Sequence, residues 1–142
     1  MKVGTYKGHV IAVFLRDEHC PPHVHVAGKE WDARFRFSFL DGHVALWDVD
    51  PERRRPPTAV LEGIRKTIMQ PHYLARARRI WWETLQTVCL ENHSWDWEAG
   101  EVLPGLIIQR GVYVIARARH DVVGQKTILN LVRAPGFVEI DL

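Results

Sequence analysis

The alternation of apolar and polar residues is clearest between residues 30 and 40. Side chains two apart on a β-strand share a face, so this alternation predicts a strand with one buried and one polar face. The apolar positions are Trp31, Ala33, Phe35, Phe37 and Phe39, and the polar positions are Glu30, Asp32, Arg34, Arg36 and Ser38.

The dipeptide Asp41-Gly42 follows this strand and favours a type I′ hairpin turn. Turn length fixes which residues lie opposite each other in the two strands of a hairpin. The expected pairs are Phe39 with Val44, Phe37 with Leu46, and Arg36 with Trp47.

A second alternating segment, His23 to Val26, predicts another strand. Gly28-Lys29 is predicted as its two-residue turn. A carboxylate opposite His25 would fix the tautomer of this histidine and raise its pKa. The expected pairs are Val26 with Trp31, His25 with Asp32, Val24 with Ala33, and His23 with Arg34.

The predicted sheet therefore has two unlike faces. The apolar face has to be covered by another layer, which we expect to be helices. The polar face is the candidate functional surface. The apolar face carries Val24, Val26, Trp31, Phe35, Phe37, Phe39, Val44 and Leu46, and the polar face carries His23, His25, Asp32, Arg34, Arg36 and Trp47.

The other segments of the first 90 residues supply two more strands and two helices. Residues 1–7 form a lead-in strand or arm, and the apolar run within residues 9–16 is typical of a central strand buried on both faces. Thr58 is the expected N-cap of a helix that runs to about Met69. Pro71 breaks this helix, and a second helix is expected over residues 72–90.

The remaining residues predict a β-meander. Residues 91–101 are interpreted as a polar connector anchored by Trp95 and Trp97. The predicted fold class is α+β, with an antiparallel sheet of hairpins (residues 1–90) packed on two helices and a C-terminal β extension (residues 91–142) that completes one globular domain. The expected strands of the extension are 106–110, 112–119, 127–132 and 137–142.

The composition is that of a globular protein, with 46% hydrophobic and 25% charged residues among 142. No apolar run approaches the roughly 20 residues that a membrane helix requires, and the start lacks a signal-peptide pattern. Two cysteines, Cys20 and Cys89, do not resemble the disulfide framework of secreted domains. We therefore expect a cytoplasmic protein without a membrane partner.

The candidate chemistry lies in His19-Cys20-Pro21-Pro22-His23-Val24-His25-Val26, which holds three imidazoles and one thiol. The prolines are expected to keep this stretch extended and rigid. His23 and His25, with His19 or Cys20, would offer ligands to zinc or another borderline divalent metal. The competing interpretation is structural, with imidazoles that hydrogen-bond the turn and cap the sheet.

Acid–base chemistry without a metal is another hypothesis. His23 and His25 would act as general acid and base, Asp32 would orient His25, and Arg34 would stabilise the transition state of a nuclease-like hydrolase. Cys20 could serve as a nucleophile, although the sequence carries no oxyanion-hole motif. It also lacks a P-loop, a dinucleotide fingerprint and paired C-x-x-C motifs.

The net charge is only +2, but residues 53–79 hold eight basic residues and one acid, Glu62. Such a local excess attracts phosphates or an acidic partner, and an aromatic side chain nearby could stack on bases. The alternative is a solvated helix face. The predicted binding residues are Arg36, Trp47, Arg53, Arg54, Arg55, Arg76, Arg78, Arg79 and Trp82.

Residues from about Val10 to Leu85 resemble the small bacterial domain of unknown function 4160. The matching pieces are Asp17-Glu18-His19, Pro21-Pro22-His23-Val24-His25-Val26, the hairpin around Asp41-Gly42 and the helical run from Thr58. The resemblance implies a bacterial cytoplasmic protein, often encoded beside another small protein in arrangements like toxin–antitoxin pairs. It implies no established activity, and the segment after residue 90 departs from this typically short family.

Together these patterns predict a regulatory module that binds a partner protein or a nucleic acid in a toxin–antitoxin-like setting. A homodimer is also compatible with them. The alternative function is a metal-dependent or histidine-based hydrolase that uses the face carrying His23 and His25.

Overall fold

A computed structural model describes all residues from Met1 to Leu142. Its two helices and its antiparallel strands confirm the predicted α+β class. The chain divides into two compact units, Met1–Gln86 and Thr87–Leu142. Neither helix has the length and the apolar character that spanning a bilayer requires.

The first unit contains a five-stranded antiparallel sheet in which every strand pairs with the next one along the chain. This sequential order brings the loop before β3 and the strands after it to one region of the sheet. The strands are β1 (Lys2–Tyr6), β2 (His9–Ala12), β3 (His23–Ala27), β4 (Asp32–Phe37) and β5 (Val44–Asp50).

Two helices follow the sheet, α1 (Thr58–Ile68) and α2 (Pro71–Leu85), after a short 3-10 helix at Glu52–Arg54. Pro71 separates them as predicted and takes the first position of α2, where a missing N–H costs no hydrogen bond. The predicted cap at Thr58 is wrong, because the N-cap is Pro57 and no side chain caps the helix.

The apolar face of the first sheet is buried, in agreement with the alternation in β3 and β4. Val24, Val26, Ala33 and Phe35 are each at most 1% exposed. The prediction that residues 9–16 are buried on both faces is wrong, since β2 ends at Ala12 and the second face is open. Val10 and Phe14 are 46% and 51% exposed, whereas Ile11 and Val13 are fully buried.

The register of β3 on β4 differs from the predicted register by two residues. His25 lies opposite Arg34 and not Asp32, and His23 lies opposite Arg36 and not Arg34. The connection is longer than a two-residue turn, because Gly28 donates its N–H to the Trp31 carbonyl at 2.8 Å. A shift of two residues keeps every side chain on its predicted face but changes its neighbour.

The predicted type I′ turn at Asp41-Gly42 is also wrong, because neither residue has the positive φ that this turn needs. The loop is instead held by side-chain oxygens that accept hydrogen bonds from backbone N–H groups, a common feature of polar loops. Ser38 Oγ accepts from Leu40 at 2.9 Å, and Asp41 Oδ1 accepts from His43 at 2.8 Å.

The longer loop moves the register of β4 on β5. Phe37 pairs with Val44 and Arg36 pairs with Ala45, so the expected pairing of Arg36 with Trp47 is wrong. A bulge between Arg34 and Phe35 then places Arg34 opposite Asp48. This bulge brings an arginine and a carboxylate together on the polar face.

The second unit is a five-stranded antiparallel sheet in the order β10-β9-β8-β6-β7. Its core is formed by Trp95, Ile115 and Leu129. The strands are β6 (His93–Asp96), β7 (Glu101–Pro104), β8 (Val112–Asp121), β9 (Lys126–Leu131) and β10 (Phe137–Asp141).

Two predictions for the second unit are wrong. Residues 91–101 are not a connector, because buried Trp95 belongs to β6. Residues 106–110 are not a strand and contribute only an isolated bridge from Gln109 to Val112. The apolar side chain of Ile108 is fully exposed, so its hydrophobicity does not report a buried strand.

We predict that Gly63→Ala destabilises the protein. An added Cβ would lie 2.1 Å from the Tyr6 hydroxyl and 2.4 Å from its Cζ. Overpacking of this kind costs about 1–3 kcal/mol, which outweighs the roughly 1 kcal/mol that alanine gains over glycine in a helix. The measurement is the free energy of unfolding in denaturant.

The matched control is Gly42→Ala, since a Cβ there meets no atom within 4 Å. This variant should unfold like the wild type. A Gly63→Ala protein more stable than the wild type would show that Tyr6 does not pack on α1 as described.

Candidate metal centre

Three side chains of the first unit, Glu18, His23 and His25, bring one potential ligand atom each to within 4.8 Å of the others. β3 supplies both imidazoles, because residues two apart on a strand point to the same side. Glu18 comes from the segment between β2 and β3, where the chain reverses direction to form the antiparallel pair. The reversal folds the carboxylate back over the imidazoles.

Glu18 Oε1 is the atom on which the cluster converges. It lies 3.0 Å from His25 Nε2 and 3.5 Å from His23 Nε2. The Glu18 side chain is 4% exposed and the His23 side chain 1% exposed, while that of His25 is 19% exposed. The carboxylate is therefore almost removed from water and has one close hydrogen-bond donor, His25.

The tautomer of His23 follows from its other ring nitrogen. His23 Nδ1 lies 2.8 Å from the Pro21 carbonyl oxygen. A carbonyl only accepts, so Nδ1 carries a proton, and in the neutral ring Nε2 carries the lone pair. Burial lowers the pKa of His23 despite the opposing effects of the Pro21 carbonyl and the Glu18 carboxylate, which favours this neutral form.

Two acceptor atoms of the cluster are buried without a hydrogen-bond partner, Glu18 Oε2 and His23 Nε2. His23 Nε2 faces Glu18 Oε1 at 3.5 Å, but two lone pairs repel each other and form no hydrogen bond. An unsatisfied buried polar atom costs about 1–3 kcal/mol. A cation bound by both Glu18 and His23 would lower this cost, because it is attracted to the carboxylate and to the imidazole lone pair.

The spacing between the carboxylate and each imidazole suits a tetrahedral metal ion. Ligand atoms bound to zinc at about 2.0–2.1 Å in tetrahedral geometry lie about 3.3 Å apart. The distances of 3.0 Å and 3.5 Å from Glu18 Oε1 bracket this value. Two imidazoles bound in this way have ring centres about 5 Å apart, and the rings of His23 and His25 are 4.9 Å apart.

The structure changes the predicted ligand set. His23 and His25 belong to the cluster, but His19 does not, since its ring centre is 6.1 Å from that of His23. Cys20 is disulfide-bonded, so the prediction of a thiolate ligand or nucleophile at this position is wrong. Cys89 is also disulfide-bonded, and the chain has no free cysteine.

Glu18 is the ligand that the sequence-based prediction missed. Asp32 was expected to orient His25, but it pairs with Ala27 and Asp50. The carboxylate that contacts His25 is Glu18. The sequence did contain a signal for Glu18. It is an acidic residue just before the prolines and the histidine strand, where the chain has to turn back over that strand.

Aromatic rings enclose the imidazoles. Phe14 stacks on His25 with ring centres 4.0 Å apart and planes 13° apart. Trp47 and Trp81 approach the His23 ring edge-on, with their ring centres 5.0 Å and 5.3 Å from that of His23. Rings in such contact restrict the rotation of the imidazoles and keep water away from the carboxylate, so the cluster is held in place without a metal.

Arg34 is bound to Asp48 and does not face the imidazoles as a free cation. Its Nε donates to Asp48 Oδ1 at 2.8 Å, and its Nη2 donates to the second oxygen. The guanidinium also lies 4.0 Å over the Trp47 ring. The paired hydrogen bonds raise the pKa of Arg34 and lower that of Asp48. The structure thus gives Arg34 a structural role in holding Trp47 against His23.

A cleft of about 490 Å³ adjoins the cluster and gives it access to solvent on the His25 side. Phe14 and His25 form its aromatic wall. Its remaining lining residues are Asp32, Arg34, Asp48, Val49 and Asp50. A small molecule in this cleft would contact His25 directly.

Arg78, one of the predicted binding residues, is buried and is not part of a surface. Its guanidinium donates to the carbonyls of Ser38 (2.8 Å) and Asp41. Burial lowers the pKa of Arg78 to about 10, so it remains charged at neutral pH. Arg78 therefore ties α2 to the loop after β4.

Three of the other predicted binding arginines, Arg54, Arg55 and Arg76, also have partners within the first unit. Arg53 and Arg79 remain exposed, and Trp82 is partly buried in α2. Several basic side chains of residues 53–79 are therefore paired within the protein, and a nucleic-acid surface there stays a prediction. The paired arginines are Arg54 with Glu30, Arg55 with Glu52, Arg65 with Glu62, and Arg76 with the Val3 carbonyl.

Comparison with known families, curated proteins and solved structures found no match to this chain. The resemblance to the domain of unknown function 4160 therefore stays a prediction. The candidate site is defined by its own geometry.

We predict that Arg34→Lys lowers the free energy of unfolding by about 1 kcal/mol. Lysine cannot reproduce the two hydrogen bonds to Asp48 or the planar contact with Trp47. The expected loss is small because the side chains of Arg34 and Asp48 are 28% and 41% exposed, and solvent screens such pairs. Denaturant unfolding measures the change.

Arg55→Lys provides the control, since Arg55 pairs with Glu52 on the surface, where ion pairs contribute little. Its stability should match the wild type. Equal stability of the Arg34→Lys protein and the wild type would contradict the structural role given to Arg34.

Proposed function

We propose that the protein binds one divalent transition-metal ion through Glu18, His23 and His25, with zinc as the best fit. The observation that carries this proposal is the buried, unpartnered pair of acceptors Glu18 Oε2 and His23 Nε2. Imidazole and carboxylate ligands suit zinc, whereas calcium and magnesium prefer oxygen ligands alone.

We further propose that the bound metal serves hydrolysis. Two histidines and one glutamate are a ligand set of catalytic zinc sites, which leave a position for water or substrate. A zinc ion with such an open position would lower the pKa of a bound water and polarise a substrate oxygen. The cleft beside His25 offers a substrate a route to that position.

The geometry favours this hydrolase over the metal-free hypothesis. Arg34, assigned there to stabilise a transition state, is held by Asp48. Asp32, assigned to orient His25, does not contact it, and Glu18 does. We also propose that α1 and α2 cover the apolar face of the first sheet, and the contact between the rings of Trp81 and Phe37, with centres 6.1 Å apart, supports that packing.

We predict that the untagged protein binds one equivalent of Zn²⁺ or Co²⁺ and that Glu18→Gln weakens this binding at least tenfold. An amide keeps the size of the side chain but removes the charge that a metal requires. His23→Ala should have a similar or larger effect. Isothermal titration of the metal-free protein, with circular dichroism to verify folding, measures both.

Asp32→Asn and His19→Ala are the matched controls, because Asp32 lines the cleft beside His25 and His19 lies near His23, but both are outside the cluster. Their metal affinity should equal that of the wild type. Absence of metal uptake by the wild type would remove the proposal. Hydrolysis of activated ester and phosphodiester substrates that depends on Zn²⁺ and disappears in Glu18→Gln would support the catalytic part.

A second candidate function, binding to a protein partner, is favoured by the surface of the second unit. Leu106 and Ile108 are 60% and 102% exposed, and large apolar side chains grouped on a surface are typical of interaction sites. Ile108 lines a cavity of about 410 Å³ whose other lining residues include Ile107, Tyr113 and Val132. A second copy of the chain is the first partner to test.

We predict that the wild-type protein self-associates in a concentration-dependent manner and that Ile108→Glu abolishes this association. A carboxylate on the apolar surface would have to be desolvated in the contact. Sedimentation velocity over a range of concentrations measures it. The control is Val123→Glu, which changes an equally exposed side chain outside the cavity. Equal self-association of the two variants would show that the surface around Ile108 is not the contact between copies.

A further inference from the structure

The indole nitrogen of Trp81 is a third buried polar atom without a partner near the candidate metal centre. Trp81 lies on α2 with no exposed surface, and its Nε1 has no hydrogen-bond acceptor. The centre of its ring lies 5.3 Å from the centre of the His23 ring. A buried indole N–H usually finds an acceptor, so its isolation beside a metal-ligating group needs an explanation.

The unpartnered atoms around His23 are complementary in kind. Glu18 Oε2 and His23 Nε2 are acceptors, and Trp81 Nε1 is a donor. A metal ion would satisfy both acceptors, but it cannot satisfy the N–H, because the two repel each other. An acceptor atom that accompanies the metal would complete the set.

The charge of the occupied site points in the same direction. A divalent cation, one carboxylate and two neutral imidazoles leave a net charge of +1 in a site from which water is largely excluded. Buried net charge is costly. A singly charged oxygen ligand in the remaining coordination position would neutralise the site.

The distances allow one oxygen to meet both requirements. A metal bound to His23 Nε2 lies about 3 Å from the imidazole centre, and a further ligand, about 2 Å from the metal at a tetrahedral angle, lies about 4 Å from that centre. The Trp81 ring centre is 5.3 Å from the same imidazole centre. An oxygen on the metal that extends toward Trp81 would therefore come within hydrogen-bond distance of the indole nitrogen on that ring.

We infer that the site binds its metal together with an oxyanion, and that the Trp81 indole N–H donates a hydrogen bond to the oxygen bound to the metal. The substrate class implied is a molecule with a carboxylate or phosphate group, or one whose carbonyl or phosphoryl oxygen gains negative charge during hydrolysis. This inference rests on the proposed metal site. Trp81 acts on the bound oxygen and is not a metal ligand.

The experiment uses Co²⁺-loaded protein, whose visible spectrum reports changes at the metal. Acetate and inorganic phosphate are titrated separately into the wild type, Trp81→Phe and Trp47→Phe. We expect Trp81→Phe to bind Co²⁺ with unchanged stoichiometry but to bind the anion on the order of tenfold more weakly, as expected for the loss of a hydrogen bond to a charged group. The anion that binds more tightly to the wild type identifies the substrate class as carboxylate or phosphate.

Trp47→Phe is the matched control. The Trp47 ring contacts His23 at 5.0 Å in the same edge-on manner, but its indole nitrogen is not a buried unpartnered atom. This variant should bind the anion like the wild type. Equal weakening in both variants would overturn the inference, because the effect would then come from packing on His23.

The outcomes separate the inference from the proposed function. Co²⁺ uptake without anion binding by the wild type would overturn the inference and leave the metal site intact. Absence of Co²⁺ uptake would overturn both. Wild-type anion affinity in Trp81→Phe would overturn the role of the indole alone.

A second measurement does not depend on the folding of a variant. In the Zn²⁺-loaded wild type, the indole N–H of Trp81 gives one resonance, assigned through its contacts with the rings of His23 and Phe37. Addition of acetate should move this resonance downfield, as expected for a new hydrogen bond to an anion. An unchanged position at saturating acetate would contradict the inference.

Discussion

The candidate site depends on the burial of one carboxylate between two imidazoles. Glu18 is 4% exposed at its side chain and receives one hydrogen bond, from His25. The second imidazole, that of His23, donates no hydrogen bond to Glu18, because its proton is on Nδ1 and is donated to the Pro21 carbonyl. Two acceptors therefore share a region without water, an arrangement that is costly unless a cation is bound.

The surrounding residues stabilise this arrangement. Phe14 stacks on His25, and the Arg34–Asp48 pair holds Trp47 against His23. The same residues close the cluster on most sides and leave the cleft beside His25. A rigid, largely water-free set of ligands is what a functional metal site requires. Arg78, by contrast with the exposed arginines of the first unit, is buried and contributes to internal contacts.

Loop length explains why local patterns predicted the faces but not the neighbours. The connections after β3 and β4 are longer than the expected two-residue turns, and both registers move by two residues. Because strand side chains repeat every two residues, such a shift leaves His23 and His25 on the same face. It changes the residue opposite His25 from Asp32 to Arg34, so the carboxylate has to come from elsewhere.

The sequence by itself determined the α+β class, the two helices, the strands of the first sheet and the pair of imidazoles on one face. Periodicity and proline positions are local properties, and they are sufficient for these features. Only the tertiary structure decided that Glu18 completes the cluster, that Cys20 is disulfide-bonded, that Arg78 is buried and that Trp81 lies against His23. These contacts join segments that are distant in sequence. Whether such segments meet depends on loop geometry and on the packing of helix against strand, which the residue pattern of a single segment does not determine.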